Sequence, residues 1–158
     1  MKNKLIIAFV IVVLLIIGGW YWQNRLQVRN DEQRLRDVED IMQILIEMRT
    51  DQPEWFSQIV GQSAAGQIMI GQGSDCSGDW GRRCAESALK DSCINLTQPF
   101  SNYMDSLPVS PASVYIGMSG GDYSQDHTGY YLVVRDQTLE VGACMPEARA
   151  EIKLEYGL

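Results

Sequence analysis

The chain is poor in the residues that most catalytic and nucleic-acid-binding sites require. It has one histidine, His127, and 13 Lys+Arg against 20 Asp+Glu, for a net charge of −7. Phosphate recognition by nucleic-acid-binding proteins needs a basic surface, so the net charge argues against nucleic acid and none is expected as a partner. His127 lies in the turn-rich stretch DYSQDHTG of residues 122–129, expected to be an exposed loop, with no cysteine nucleophile or Gly-x-Ser-x-Gly elbow beside it. A lone loop histidine reads as solvated surface, and no enzymatic activity is expected. Proline is absent before Pro53, acids are absent before Asp31, and there is no internal repeat or low-complexity tract. The first two absences coincide, and they divide the chain.

What is present fits that division. The length of 158 residues suits one domain, and 46% hydrophobic content with seven Tyr and four Trp argues against disorder. Residues 1–30 carry Lys2, Lys4, Arg25 and Arg29 and no acid; the remainder holds nine basic and twenty acidic residues, a net −11. Residues 5–22 contain no charge and, as a helix, extend roughly 27 Å, near the thickness of a bilayer's hydrocarbon core. Lys2 and Lys4 before this run favour a cytoplasmic N-terminus, and Trp20, Tyr21 and Trp22 stand where an aromatic belt meets the far interface. A cleaved signal peptide is the rival reading. It is disfavoured because Gly18-Gly19 is followed by three bulky aromatics rather than a small-residue cleavage site. The expectation is a single-pass anchor, with residues 1–4 inside and the body outside, in contact with membrane lipid through residues 5–22.

Cysteine placement agrees with that topology. Cys76, Cys84, Cys93 and Cys144 all lie in the body, an even number that suggests two disulfides with three possible connectivities. Gaps of seven, eight and fifty intervening residues do not supply the tight Cys pairs of a structural zinc site. If Cys84 and Cys93 share a helix they stand more than about 13 Å apart. The pairing Cys84–Cys76 with Cys93–Cys144 is then expected.

Residues 23–49 have a helical period. Leu35, Val38, Met42, Leu45 and Met48 recur at spacings of three and four, with Ile41 widening the stripe; Asp31, Glu32, Arg36, Asp40 and Glu47 are assigned to the opposite face. With no proline to interrupt it, the anchor and this amphipathic stretch read as one helix of roughly 45 residues, ending where Pro53 biases Gln52 out of helical geometry. Gly18-Gly19 is its soft point and its only close-approach position. The stripe covers about two heptads, short for an independent coiled coil, so it is expected to pack on the domain that follows.

Several segments, in order, resemble bacterial type IV pilins and type II secretion pseudopilins. WQNRLQVRNDEQRLRDV, from Trp22 to Val38, is similar to the helix that follows the membrane segment in that family, and EDIMQIL, from Glu39 to Leu45, to its continuation. FSNYMDSLPVSP, from Phe100 to Pro111, resembles the family's Tyr-Leu-x-x-Leu-Pro-x-x-Pro element. The resemblance makes Tyr115 and GYYLVV at residues 129–134 strands of the pilin sheet. It implies a non-enzymatic structural subunit that packs through its helix against copies of itself or sibling subunits, in the bacterial inner membrane or at the cell surface. Candidate helix-packing residues are Gly18, Gly19, Leu35, Val38, Met42 and Leu45. The family also has a basic leader, a cleavage site and a glutamate five residues into the mature chain. A gapless alignment puts Asn3 at the glutamate's position, and no prepilin cleavage site is recognisable. The alternative is therefore a membrane-tethered extracytoplasmic binding module with the same fold that does not assemble.

The expected architecture is α+β: an anchor at 5–22, its amphipathic continuation at 23–52, and a head at 53–158 in which the helix packs on a small antiparallel sheet. Residues 54–60 read as a short helix or turn carrying Trp55 and Phe56 inward, and 67–70 as a brief strand. The stretch 71–81, GQGSDCSGDWG, is loop by composition and lacks the Gly-Lys-Ser/Thr of a phosphate cradle. Helices are expected at 85–96, with Leu89 and Ile94 inward, and at 100–107. Strands are expected at 114–118, 129–135, 138–142 and 147–156, with Asp136-Gln137 as a two-residue hairpin. Asn95-Leu96-Thr97 satisfies a glycosylation sequon. No cofactor is expected. Calcium is the one ligand with candidate donors, Asp122 and Asp126, which some pseudopilins resemble in binding calcium near C-terminal loops.

Overall fold

A 50-residue helix, α1 (Lys2–Asp51), runs through the anchor and the amphipathic stretch without a break, Gly18 and Gly19 included, for a length of about 75 Å. The computed structural model describes residues 2–64, 66–73, 76, 84, 93–112 and 123–158, with the backbone alone for residues 2–8. Gln52 ends α1 with φ −137° and ψ 61°, the extended geometry forced on a residue before proline. Pro53 then starts α2 (Pro53–Ser63), where its missing N–H costs nothing. Phe56 and Ile59 of α2 are buried, and Trp55 is half-buried against the same core.

Four strands form one antiparallel sheet in sequence order: β1 (Ile68–Met69), β2 (Tyr130–Arg135), β3 (Thr138–Ala143) and β4 (Lys153–Gly157). β2 and β3 are joined by Asp136 and Gln137, both at positive φ (48° and 65°), the geometry of a two-residue hairpin turn reached without glycine. The two-residue period of the strands sorts their side chains onto two faces. Tyr130, Leu132, Leu139, Val141 and Ile152 join Val38, Ile41, Leu45 and Met48 of α1 and Phe100 and Leu107 in the main core. Met69, Tyr131, Val133 and Cys144 face the other way and form a second cluster with Cys76 and Cys84. The arrangement is α+β, with the distal half of the long helix covering one face of the sheet. Gly142 belongs on the far face because the Tyr131 ring lies across it: a Cβ there would come within 2.4 Å of the ring.

Several local expectations change. Residues 93–96 are not helical. Ile94 bridges Ile70 in parallel, donating its N–H to Met69 and accepting one from Gly71, so β1 satisfies the groups a helix would have used. The next helix, α3 (Thr97–Phe100), begins earlier than expected and stops in a turn at residues 101–103, so 100–107 is not helical. Asn95 Oδ1 accepts the Thr97 N–H at 3.0 Å, and Pro99 falls in the first turn, where the ring is tolerated. The final strand begins at Lys153 rather than residue 147, because the N–H groups of 147–149 are committed to a carboxylate on α1. The disulfides are Cys76–Cys93 and Cys84–Cys144, so the expected pairing is corrected. The pairing of Ile94 with β1 brings Cys93 to the chain leaving that strand, where Cys76 lies, and Cys144 follows β3 directly, in one cluster with Cys84. Residues 85–92 with Leu89, and 113–122 with Tyr115, Asp122 and the expected strand at 114–118, lie outside the described residues.

Candidate functional site

The distinctive chemistry of this chain lies along α1. Its first part is apolar and bare: Phe9, Leu15 and Trp20 are about 70% exposed (69%, 70% and 71%). The helix is long and apolar enough to cross a membrane, and none of its most apolar window is buried. Gly18 and Gly19 lie in this part, and a Cβ on either would meet no atom within 4 Å. Past residue 34 the same helix is one-sided, as the stripe predicts. Val38, Met42 and Leu45 are buried against the head, and Leu35 is partly so.

Where the bare and packed parts meet, a buried ion pair fastens the helix to two loops of the head. Asp31 and Arg34 are both fully buried. Arg34 donates from Nη1 to Asp31 Oδ1 at 2.7 Å, from Nε to Ser110 Oγ at 3.0 Å and from Nη2 to the Pro111 carbonyl at 2.9 Å, with Glu147 Oε2 3.7 Å from Nη1. Asp31 also accepts the backbone N–H groups of Glu147 (2.9 Å), Ala148 (2.7 Å) and Arg149 (2.8 Å). Asn30 extends the seam from its amide nitrogen to the Ala112 carbonyl and to Glu147. Burial raises the Asp31 carboxyl's pKa, but the three N–H groups and Arg34 outweigh it and hold the group below the ordinary carboxylate value. A buried ion pair is tolerated only when its remaining donors and acceptors are satisfied, and this one is anchored from both directions.

Sequence reasoning put Asp31 on the solvent face, and that is corrected here. A signal was available: stepping back by seven residues leads from Leu45 to Val38 and from Val38 to Asp31, and from Ile41 to Arg34, so both lie on the buried stripe. Polarity overrode position in that reading. One turn further, Tyr130 donates its hydroxyl to Asp37. Burial raises the Asp37 carboxyl above its usual range despite that bond, and burial together with the Asp37 pairing raises the Tyr130 phenol far above its own.

On the far face of the sheet, Tyr131 donates to Glu140 Oε1 at 2.9 Å, and Lys153 Nζ lies 3.3 Å from Glu140 Oε2. His127 is half-buried rather than exposed. Gly71 and Gly73 admit its loop: a Cβ on Gly71 would fall 2.1 Å from the Asp126 carbonyl, and one on Gly73 3.1 Å from His127 Nε2. The donor atoms of Cys76, Cys93 and His127 lie within 4.8 Å of one another, but the two sulfurs are bonded to each other and offer no thiolate to a metal. The Asp126 residue is exposed and its carbonyl accepts the Gly73 N–H; its proposed calcium partner Asp122 lies outside the described residues. Opposite the ion pair, Trp22, Arg25, Val28, Arg29 and Glu32 line a groove of about 530 Å³. The Arg25 guanidinium sits over the Tyr21 ring, 5.3 Å from its centroid.

These groups can fix the head on the helix and present the helix's bare part; among the described residues they assemble no nucleophile–base pair. No family model, curated protein or solved structure matches the chain.

Proposed function

We propose that the chain is a non-enzymatic, single-pass membrane protein of pilin-like or pseudopilin-like type, a structural subunit of a type IV pilus or a type II secretion-like filament. One observation carries this reading: a single unbroken helix leaves its apolar first part bare and has its second part clamped to an antiparallel sheet. An apolar surface of that extent needs lipid or neighbouring helices to cover it. Lys2 and Lys4 hold the N-terminus on the cytoplasmic side, and the acidic, disulfide-bearing head stands outside. Within lipid there is no hydrophobic drive between helices, so lateral association depends on close van der Waals fit. Gly18 and Gly19 are the positions on α1 where a neighbour's backbone could approach most closely. The Asp31–Arg34 seam keeps the head at one angle to the helix, so packing of the helices sets the spacing of the heads.

Oxidative cross-linking in native membranes tests the assembly. Cysteine replacing Leu14, Ile17 or Gly18, all exposed on α1, is expected to give covalent dimers in at least one register, and sheared cell fractions are expected to contain the protein in sedimentable form. A monomer at all three positions with nothing in the sheared fraction would refute assembly and favour the tethered binding module.

A further inference from the structure

Arg25 and Arg29 are the only charged residues between positions 5 and 30, and both are exposed. They lie roughly 150–170° around the helix from the Asp31–Arg34 pair, on the side the head leaves uncovered. With Trp22 and Val28 they line the groove of about 530 Å³. If the apolar run fills the bilayer core up to Trp22, Arg25 stands about 4.5 Å beyond it and Arg29 about 10 Å. The headgroup layer of one leaflet is about 6 Å deep, so the Arg25 backbone falls inside it and that of Arg29 about 4 Å beyond it, within reach for a long side chain leaning back toward the bilayer. Side chains on a helix lean toward its N-terminus, here toward the bilayer, and Arg25 does so, folding back over Tyr21 one turn below.

We propose that the Trp22–Arg25–Arg29 face of α1 is a binding site for the phosphate of an anionic phospholipid in the leaflet beneath the head. The inference rests on the membrane reading above and adds a lipid class to it. Charge complementarity selects the occupant. The body from residue 31 onward carries a net −11 and is repelled by an anionic surface, and among the described residues Arg25 and Arg29 are the cations that α1 offers next to the apolar run on that side. Asp31, the acid nearest in sequence, does not cancel the pair, because it lies on the other side of the helix and its charge is buried and matched by Arg34. Glu32, exposed at the distal end of the groove, lies about 15 Å beyond Trp22 and outside the headgroup layer. Arginine suits the role because its guanidinium can hold a phosphate through two parallel N–H bonds at its edge while its flat face stacks on an aromatic ring, as that of Arg25 does on Tyr21.

The test uses the full chain reconstituted in phosphatidylcholine vesicles with a minor fraction of phosphatidylglycerol, bromine being placed on the acyl chains of one lipid or the other. Quenching is read from the membrane-level indoles, Trp20 and Trp22. The wild type is expected to favour the anionic lipid about fivefold, the scale of one juxtamembrane arginine, and to lose that preference as salt is raised. R25Q/R29Q is expected to bring the two lipids to parity, while K2Q/K4Q, at the opposite end of the anchor, leaves the preference intact. Equal quenching by both lipids in the wild type overturns the lipid site but leaves the anchor standing. No quenching by either overturns the anchor and the site together. A preference that survives R25Q/R29Q, or that disappears only in K2Q/K4Q, removes the assignment to this face.

Discussion

Replacing Asp31 by Asn is the sharpest perturbation of the head–helix seam, because shape is nearly kept and only the charge is lost. The carboxylate receives Arg34 at 2.7 Å and three backbone N–H groups at 2.7–2.9 Å, all in a fully buried position. Breaking a buried ion pair from one side costs about 3–5 kcal/mol, since the partner guanidinium remains buried without its counter-charge. The three N–H groups add to this, each worth about 1 kcal/mol or more if left unmade, though an Asn carbonyl keeps part of that bonding. The two contributions overlap, and Glu147 at 3.7 Å offers Arg34 a weaker substitute. A loss of about 4 kcal/mol is expected, a large fraction of the 5–15 kcal/mol by which a domain is normally stable. The assay is denaturant unfolding of the full chain in detergent micelles, read by near-UV circular dichroism, with exposed Glu32→Gln as the control expected to change stability by less than about 0.5 kcal/mol. The pH dependence gives a second reading. The Asp31 pKa is lowered on folding, so its contribution is complete above the ordinary value of 3.8 and is lost as pH falls through the folded value below it. Wild type and D31N should therefore differ by a constant amount from neutral pH down to about 4 and converge below that. A loss under about 1 kcal/mol, or a gap that closes above pH 5, would refute the view that this carboxylate clamps the head.

Asp37 should behave in the opposite sense. Its pKa is raised on folding, so the folded state holds that proton more tightly, and lowering pH toward the folded value should shift stability in favour of wild type over D37N; unfolding curves at pH 7 and pH 5 measure it. Leu45→Ala, at a fully buried position in the main core, should cost about 2–5 kcal/mol, whereas Ile46→Ala beside it, 36% exposed, should cost far less; equal losses would contradict the assigned helix face. Gly142→Ala should destabilise by about 1–3 kcal/mol through the clash with the Tyr131 ring, and pairing it with Tyr131→Leu should recover much of the loss in a double-mutant cycle. Peptide mapping under non-reducing conditions should show Cys76–Cys93 and Cys84–Cys144. Removing the second pair, which spans 60 residues, should cost about 1 kcal/mol more than removing the first, which spans 17, if loop entropy dominates.

Much of this molecule is legible by eye because its largest element is local. Length of the apolar run, absence of proline before Pro53 and the three–four spacing from Leu35 to Met48 are properties of one continuous stretch, and they suffice for a long helix with a bare end and a packed end. The β2–β3 hairpin is likewise local, fixed by two β-rich runs two residues apart. Positions decided by contacts distant in sequence were not legible in the same way. The helical period places Asp31 on the buried stripe, but the groups that make burial of its charge tolerable come from residues 147–149, 116 to 118 positions later. Those same bonds delay the start of β4, and the bridge from Ile94 to Ile70 takes residue 94 out of the expected helix. Cys84 and Cys93 do stay unpaired with each other, but not because they share a helix, since Cys93 is not helical.

By itself, then, the sequence determined where charge and apolar surface lie along α1: a cationic, uncharged-cored first thirty residues and an acidic remainder, with turn chemistry marking the hairpin. Those are one-dimensional quantities, set by residue type and the helix or strand period. Tertiary structure alone decided which polar residues on the helix are buried, which cysteines meet, and which side of α1 is left free at the level of Arg25 and Arg29. Each of those outcomes depends on two segments satisfying one another's hydrogen bonds and volume, and neither segment carries that information alone.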